Sequence, residues 1–298
     1  MPAEGAPFEG FETRRVETSG ATIHARIGGR GPPLLLLHGY PQSHLMWRRI
    51  APALAAHFTV VAADLRGYGD SAKPPGGADH AAYAKRAMAQ DQVEAMAALG
   101  FPRFQLVGHD RGGRVAHRLA LDHPQALTRL AVLDIAPTAT MYAATDRRFA
   151  TAYYHWFFLI QPFDLPERLI GGDPDYYIER ILGGWGRRGG AIEETVLAEY
   201  KRCFRDPAAI HASCEDYRAA AGIDLEHDRA SRAAGRKVAC PLLVLWGDKG
   251  KVGRFDDPLA LWNQYASGPI TGGPVDTTHY LAEEDPAAIA AWLLRFFR

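Results

Sequence analysis

The sequence has little of what marks extracellular, membrane-bound or nucleic-acid-binding proteins. Its 298 residues include three cysteines, Cys203, Cys214 and Cys240, which are odd in number and lack CxxC spacing. We therefore expect reduced thiols, and neither a disulfide framework nor a cysteine metal site. The 34 basic and 34 acidic residues give a formal net charge of zero. This balance argues against nucleic acid or an anionic membrane as a partner.

Long apolar runs and targeting segments are also missing. The longest apolar run is far too short to span a bilayer, so we expect no membrane segment. The N-terminal sequence MPAEGAP has no basic start followed by an apolar stretch, so we expect no secretory signal. Together with the scattered cysteines, this predicts a cytoplasmic location. The length allows one large domain with an insertion, or two domains.

Strand and helix patterns alternate along most of the chain. Because parallel strands need helical crossovers between them, this alternation predicts an α/β fold with a mostly parallel sheet. A hairpin is predicted over residues 11–28. Further strands are predicted over residues 34–37, 58–63, 104–107, 130–134 and 241–246, and helices over residues 47–55, 83–99 and 286–297.

The stretch from about Pro137 to Arg236 differs from the rest. It is rich in tyrosine, tryptophan, phenylalanine and arginine, and it shows helical patterns without a clear strand. We interpret residues 138–238 as a helical cap inserted into a core domain, which is formed by residues 1–137 and 239–298. The predicted sheet places its strand ends beneath this cap, at the edge where open α/β sheets hold their sites.

The rest of the chain is organised around the stretch Phe104–Arg114. An apolar strand pattern ends at Gly108, Asp110 follows, and a helical pattern begins after Gly112. A strand that turns sharply into a helix holds its central residue in a strained conformation and needs small neighbours, which the two glycines provide. The central residue here is a carboxylate. A carboxylate nucleophile suits displacement at a saturated carbon and leaves an ester.

Two arginines begin the predicted helix after this turn. Arg111 and Arg114 lie three residues apart and therefore share a helix face near Asp110. Guanidinium groups bind carboxylates through paired hydrogen bonds. We therefore predict an anionic substrate with a carboxylate, while pairing of one or both arginines with surface acids remains the alternative.

The motifs taken together resemble the α/β-hydrolase superfamily over nearly the whole chain. They are the turn at Asp110, the sequence His38-Gly39-Tyr40-Pro41, the sequence from Asp64 to Ser71 and the late His279. Within that superfamily, Gly108-His-Asp-Arg-Gly-Gly-Arg114 with the pair His155-Trp156 resembles the fluoroacetate (haloacetate) dehalogenases. Haloalkane dehalogenases and epoxide hydrolases typically carry tryptophan where this chain has Arg111.

The resemblance implies roles for several residues. Asp110 would be the nucleophile, His279 the general base, and Asp134 the acid that orients the histidine. Asp248, after the last predicted strand before His279, is the less favoured alternative for that acid. The backbone amides of Tyr40 and Arg111 would form the oxyanion hole.

The resemblance also implies a halide pocket in the cap, formed by His155, Trp156 and Tyr217. The chemistry of these side chains agrees, because each can donate a hydrogen bond to a departing halide. Packing within the cap remains the alternative for each. The predicted reaction is hydrolytic dehalogenation of a small haloacid, fluoroacetate above all, to glycolate and halide. It needs no cofactor and no metal, and the histidines show no metal-binding spacing.

Three other functions stay open from the sequence. An epoxide hydrolase would use the same Asp–His–Asp chemistry with two cap tyrosines, although the arginines argue against a neutral epoxide. A dehalogenase could prefer chloro- or bromo-acids, and a receptor-like member of the fold would be non-catalytic. The candidate cap tyrosines for an epoxide hydrolase are Tyr153, Tyr154, Tyr176, Tyr177 and Tyr217.

The aromatic residues of the cap also allow a homodimer.

Overall fold

The structure, a computed structural model, describes residues 7–185, 191–254 and 257–298. Eight strands form one sheet in the order β1-β2-β4-β3-β5-β6-β7-β8. The pairs β1–β2 and β2–β4 are antiparallel, and every other neighbouring pair is parallel. The strands are β1 Glu12–Glu17, β2 Thr22–Gly28, β3 Pro33–Leu37, β4 Thr59–Ala63, β5 Phe104–His109, β6 Leu127–Leu133, β7 Leu242–Gly247 and β8 Ile270–Val275. The predicted mostly parallel sheet is confirmed.

The central strands are apolar along their whole length because both faces of the sheet are covered. In β3, Leu35 and Leu37 pack in one core cluster, whereas Leu34 and Leu36 pack in another. Successive strand residues point to opposite faces, so a strand between two helical layers needs apolar residues throughout. This requirement explains the continuous run that identified β3 in the sequence.

Six α-helices of the described residues lie outside the segment between β6 and β7. They are α1 Ala51–Ala55, α2 Lys85–Ala98, α3 Asp110–Asp122, α12 Pro258–Asn263, α13 Leu281–Glu284 and α14 Pro286–Phe297. The predicted helix over residues 47–55 is shorter than expected. A 3₁₀ turn covers His44–Trp47, and α1 begins only at Ala51, with Pro52 in its first turn. Proline is tolerated there because the amide it lacks would have no helical partner.

The segment between β6 and β7 contains eight helices and no strand among its described residues. They are α4 Thr138–Ala143, α5 Arg147–Ala152, α6 Tyr154–Phe158, α7 Leu165–Gly171, α8 Pro174–Trp185, α9 Glu194–Phe204, α10 Pro207–Ala221 and α11 Ile223–Ala233. We call this segment the cap, and its division from the core as a separate domain stays a prediction. None of the described helices is long and apolar enough to cross a membrane.

The strand β8 was not predicted. Its sequence, ITGGPV, contains two glycines and a proline, and these residues lower strand propensity. It is the edge strand and pairs only with β7 in the sheet, where proline is tolerated. Its position matters because it carries the chain to His279 at the carboxyl edge of the sheet.

Candidate active site

Asp110 lies at the junction of β5 and α3. Its backbone has φ +46°, in the left-handed region that non-glycine residues rarely adopt. This conformation turns the chain from strand into helix within one residue. The Asp110 carboxylate accepts a hydrogen bond of 2.8 Å from the backbone amide of Tyr40, which follows β3. The amide proposed for the oxyanion hole therefore lies directly beside the candidate nucleophile.

The surroundings of Asp110 favour its ionised form. Burial alone would raise the pKa of this carboxyl, but the nearby His279, His109, Arg114 and Arg111 together lower it below its ordinary value. An ionised carboxylate can act as a nucleophile without first losing a proton. The site therefore keeps Asp110 ready for displacement chemistry.

His279 lies between two carboxylates. Its Nδ1 is 2.6 Å from Oδ2 of Asp134, and its Nε2 is 3.9 Å from Oδ2 of Asp110. Asp134 follows β6 with φ +50° and also accepts a hydrogen bond of 3.0 Å from the amide of Gly247. Asp248, the alternative acid, is exposed, and its backbone amide pairs with Val275. The geometry thus joins Asp110, His279 and Asp134.

A second histidine supports the loop that carries His279. The buried His109 has its Nε2 2.8 Å from the backbone oxygen of His279, and the two rings lie 4.7 Å apart. Burial lowers the pKa of His109 to about 3, so its ring is neutral and the Nε2 proton is donated to that oxygen. This hydrogen bond fixes the backbone that carries the candidate base.

Arg111 is completely buried and is held by an acid of the cap. Its Nε and Nη2 donate to the two carboxylate oxygens of Asp216 at 2.9 and 2.6 Å. Its Nη2 also donates to the backbone oxygen of Asp216, and its Cζ lies 4.1 Å from the ring centre of Tyr217. Pairing with a protein acid was the alternative that sequence reasoning had left open. It was expected at the surface, whereas here it is internal.

Arg114 is also buried, but its partners are neutral. It donates to the backbone oxygen of Ala136 at 3.0 Å and to the hydroxyl of Thr138 at 2.8 Å. Its Cζ lies 4.7 Å from the ring centre of Trp156. No carboxylate among the described residues forms an ion pair with this guanidinium. Its charge interacts with that of the nearby Asp110 without forming an ion pair.

The three predicted halide-pocket residues come together beside Tyr40. Ring centres lie 5.6 Å apart for His155 and Tyr217, and 6.4 Å apart for Trp156 and Tyr217. All three side chains are buried. Burial lowers the pKa of His155, so that its ring is neutral, and raises the pKa of Tyr217, so that its hydroxyl keeps its proton. The Tyr217 hydroxyl has no hydrogen-bond partner in the described parts of the chain.

One group outside this site has the spacing of metal ligands. His24, His44 and Asp64 offer ligand atoms within 4.8 Å of one another. The Asp64 carboxylate already accepts hydrogen bonds from both imidazoles and from the amides of His44 and Asp70. These donors use the lone pairs that a cation would need. We therefore assign this group a structural role.

Comparisons with known proteins agree with the fold. Residues 32–265 match the family model of the alpha/beta hydrolase fold. A solved structure from Nostoc sp PCC 7120, described as an α/β hydrolase, superposes with a TM-score of 0.95 at 56% identity, over 97% of this chain and 99% of that one. The chain therefore belongs to the α/β-hydrolase superfamily and is a hydrolase.

Two relatives of known name narrow this class. The chain is 54% identical over 256 residues to a fluoroacetate dehalogenase from Burkholderia sp, covering 86% of this chain and 84% of that protein. It is 35% identical to a soluble epoxide hydrolase from Corynebacterium sp. (strain C12), covering 94% of each chain. The higher identity places it in the fluoroacetate dehalogenase family of the superfamily.

Proposed function

We propose that this protein hydrolyses the carbon–halide bond of haloacetates, fluoroacetate among them, to give glycolate and halide. The observation that carries the proposal is the pair of buried guanidiniums, Arg111 and Arg114, beside an ionised Asp110. Buried cations at a catalytic carboxylate favour a substrate that is itself an anion. The 54% identity to a fluoroacetate dehalogenase supports the same substrate class.

In the first step, the substrate carboxylate binds at Arg111 and Arg114, and its α-carbon faces Asp110. An Asp110 oxygen forms a bond to that carbon while the carbon–halide bond breaks, and the electron pair leaves with the halide. Fixing the two reactants in line supplies much of the rate enhancement. The halide departs toward His155, Trp156 and Tyr217, whose donors stabilise its charge. Asp110 is left as a carboxymethyl ester.

In the second step, neutral His279 takes a proton from water, and the resulting hydroxide attacks the ester carbonyl of Asp110. The Tyr40 and Arg111 amides stabilise the oxyanion. The ester C–O bond then breaks, the leaving alkoxide takes the proton back from His279, and glycolate is released. Asp110, left as a carboxylic acid, returns to its carboxylate by releasing the remaining proton of the water to solvent.

Esterification also prepares His279 for this step. Burial lowers the pKa of His279, but Asp134 and the charge of Asp110 raise it above its ordinary value. Once Asp110 is an ester, its negative charge is gone. The pKa of His279 must then fall, so the histidine is more readily neutral when it is needed as a base.

Epoxide hydrolysis is the second candidate function. It is supported by the 35% identity to a soluble epoxide hydrolase and by the buried Tyr217 hydroxyl, which interacts electrostatically with Asp110. Tyr217 could protonate an opening epoxide, and the hydroxyl of Tyr40 donates to that of Tyr177 at 3.0 Å. A neutral epoxide, however, would leave the buried charge of Arg114 without a use.

The test measures halide release from fluoro-, chloro- and bromoacetate side by side, together with turnover of a neutral epoxide. We expect halide release with the wild-type protein and its loss, by about 10⁴-fold or more, in the Asp110→Asn variant, because the amide is a poor nucleophile. Epoxide turnover without halide release would reverse the order of the two candidates. Near-normal release by the Asp110→Asn variant would exclude the covalent route.

Location and assembly are further proposals. The odd, scattered cysteines, none of which forms a disulfide among the described residues, support a cytoplasmic location. Exposed apolar side chains in the cap support a homodimer, and they are Tyr154, Phe163, Leu165, Leu169 and Tyr176.

A further inference from the structure

A buried carboxylate next to Tyr217 organises the charges around the site. Asp216 lies on α10, and its side chain is completely buried. It accepts hydrogen bonds from Nε and Nη2 of Arg111 and, at 2.6 Å, from the hydroxyl of Tyr68. It also forms an ion pair with Lys85 of α2. Four donors from three core residues therefore converge on one carboxylate of the cap.

These contacts fix the orientation of Arg111. One edge of the guanidinium, formed by Nε and Nη2, is held by the Asp216 carboxylate, and Nη2 also reaches the Asp216 backbone oxygen. The plane lies over the ring of Tyr217. The remaining nitrogen, Nη1, is buried and has no hydrogen-bond partner among the described residues. An unsatisfied buried donor is unfavourable unless a ligand completes it.

The same contacts cancel the charge of Arg111. Lys85 lies between two carboxylates, since its Nζ also approaches Asp224 at 3.6 Å. Arg111 and Lys85 carry two positive charges, and Asp216 and Asp224 carry two negative charges. We call these four residues the charge network, and its net charge is zero. Arg114, whose partners are neutral, lies outside it.

We propose that Asp216 is a positioning residue that both orients Arg111 and neutralises it, so that Arg111 acts as a directed hydrogen-bond donor and Arg114, which has no ion-pair partner among the described residues, supplies the positive charge that attracts the substrate carboxylate. This inference rests on the proposed function and assigns a different role to each arginine, orientation of the substrate to Arg111 and electrostatic attraction to Arg114. It also makes Lys85, which does not touch the substrate, a determinant of anion affinity through the charge it contributes.

The different roles of the two arginines have a physical advantage. Two fully charged guanidiniums would bind the carboxylate of substrate and product equally strongly, and such uniform binding does not accelerate the chemical step. A neutralised but rigid Arg111 adds direction without adding the same attraction. The substrate carboxylate is then aligned for displacement, while glycolate can still leave.

The experiment separates charge from orientation with two variants. Lys85→Met removes one positive charge and keeps Asp216, so the charge network becomes negative while Arg111 stays oriented. Lys85→Met combined with Asp216→Asn restores a net charge of zero but removes the carboxylate that orients Arg111. The matched control is Arg118→Met, which removes another buried ion pair between α3 and the cap, with Asp228, farther along the helix.

Two measurements are made at pH 8: titration calorimetry gives the Kd of glycolate, and halide release gives the kcat and KM for chloroacetate. Thermal unfolding checks the fold of each variant. For Lys85→Met we expect the Kd and KM to rise about tenfold, as for one unit charge about 10 Å away at an effective dielectric constant of about 20. Its kcat should stay within about threefold of wild type, because Asp216 still orients Arg111.

For the double variant we expect the Kd and KM to return to within about threefold of wild type, while kcat falls by at least about tenfold because the reacting groups are no longer aligned. The Arg118→Met control should leave the Kd unchanged. A purely structural role for Asp216 predicts instead that the double variant is worse than Lys85→Met in both quantities. That result would overturn the inference.

The outcomes also separate this inference from the proposed function. Absence of halide release from every haloacetate by the wild-type protein overturns the function. Halide release by the wild type, with no recovery of glycolate affinity in the double variant, overturns the inference alone. If the double variant does not fold, the Kd and kcat of the Lys85→Met variant alone test the inference. A raised Kd with kcat held supports the inference, and a lowered kcat with Kd held overturns it.

Discussion

Two aspartates in strained backbone positions define the site at the scale of single residues. Asp110 and Asp134 both have positive φ, and they follow the neighbouring strands β5 and β6. The left-handed conformation is unfavourable for these residues and persists only where the surrounding structure imposes it. Here it turns both carboxylates toward His279. The strain therefore brings the nucleophile, the base and the orienting acid together.

Replacing His279 should stop the reaction after its first half. In His279→Asn no base activates water, so we expect Asp110 to keep the carboxymethyl group and halide release to end after about one turnover. Mass spectrometry of the protein after incubation with fluoro- or chloroacetate should show the added group on the peptide that contains Asp110. An unmodified peptide, together with one equivalent of released halide, would argue against a covalent ester.

The pH dependence of turnover should report the protonation of His279. The histidine is a base only when neutral, so kcat should fall as the pH decreases through its pKa. In the free enzyme this pKa is raised, although burial opposes the shift, by Asp134 and by the charge of Asp110. Esterification removes the Asp110 charge. We therefore expect kcat to fall at a lower pH than the midpoint of the His279 titration in the free enzyme.

The measurement compares kcat as a function of pH, with halide release as the signal, with an NMR titration of the imidazole in the resting protein. Asp134→Asn should move both midpoints to lower pH, because the hydrogen bond and charge that raise the pKa are lost. A kcat that increases toward acid pH would contradict the assignment of His279 as the base.

At the scale of elements, helices fix the site by where they begin. The helix α3 begins at Asp110 itself, so the nucleophile and both arginines lie within its first turns. Near the other end of the chain, α14 begins after Asp285, whose side chain accepts a hydrogen bond from the amide of Ala288 at 3.0 Å. Such a cap satisfies an amide that has no helical partner. It stabilises α14 without contacting the site.

Removing this cap should affect stability and leave catalysis unchanged. We expect Asp285→Ala to lower the free energy of unfolding by about 1 kcal/mol, measured by urea denaturation. Asp285→Asn is the matched control, because asparagine retains an acceptor, and it should recover most of the loss. The kcat for chloroacetate should stay at the wild-type value in both variants. An equal loss in Asp285→Asn would show that the hydrogen bond is not the cause.

At the scale of the whole molecule, a buried polar cluster joins the core to the cap. Glu283 of α13 is buried and accepts hydrogen bonds from Tyr200 of the cap helix α9 and from Gln42. It also forms an ion pair with Arg48, which in turn pairs with Glu193 just before α9. Burial raises the pKa of Glu283 to about 7, against the opposing effect of Arg48. This group therefore titrates close to neutral pH.

The raised pKa predicts a pH dependence of global stability. The folded protein binds the Glu283 proton more tightly than the unfolded chain does. The stabilisation is therefore full below the unfolded pKa of 4.5 and is lost as the pH rises through about 7. The Glu283→Gln variant keeps hydrogen-bonding groups but cannot titrate at this position. The Glu283 contribution to the pH dependence of the free energy of unfolding, on the order of 3 kcal/mol between pH 4.5 and about 7, should therefore disappear in this variant.

Chemical denaturation at several pH values between 4 and 8 measures this slope. Glu284→Gln is the neighbouring control, because among the described residues its carboxylate accepts hydrogen bonds within its own segment, from the amides of Thr278 and Tyr280 and from the Thr278 hydroxyl. We expect this variant to retain the wild-type slope. Identical slopes in wild type and Glu283→Gln would show that Glu283 does not control stability in this range.

The sequence by itself determined the parts of this protein that are local in the chain. The parallel sheet follows from continuous apolar runs, because a strand covered on both faces cannot tolerate polar residues. The turn at Asp110 follows from the small residues that its backbone requires. The strand β8 and the start of α1 escaped prediction because glycine, proline and a 3₁₀ turn interrupt the periodicity on which such predictions rest.

Only the tertiary structure decided how distant charges pair. The sequence shows Arg111 beside the nucleophile but cannot show that Asp216, 105 positions later, is folded against it. It offers two acids for His279, and the fold brings Asp134 to 2.6 Å while Asp248 stays exposed. Burial and ion pairing depend on which elements pack together, and chain spacing does not encode this directly. The separation of roles between Arg111 and Arg114 therefore belongs to the folded molecule.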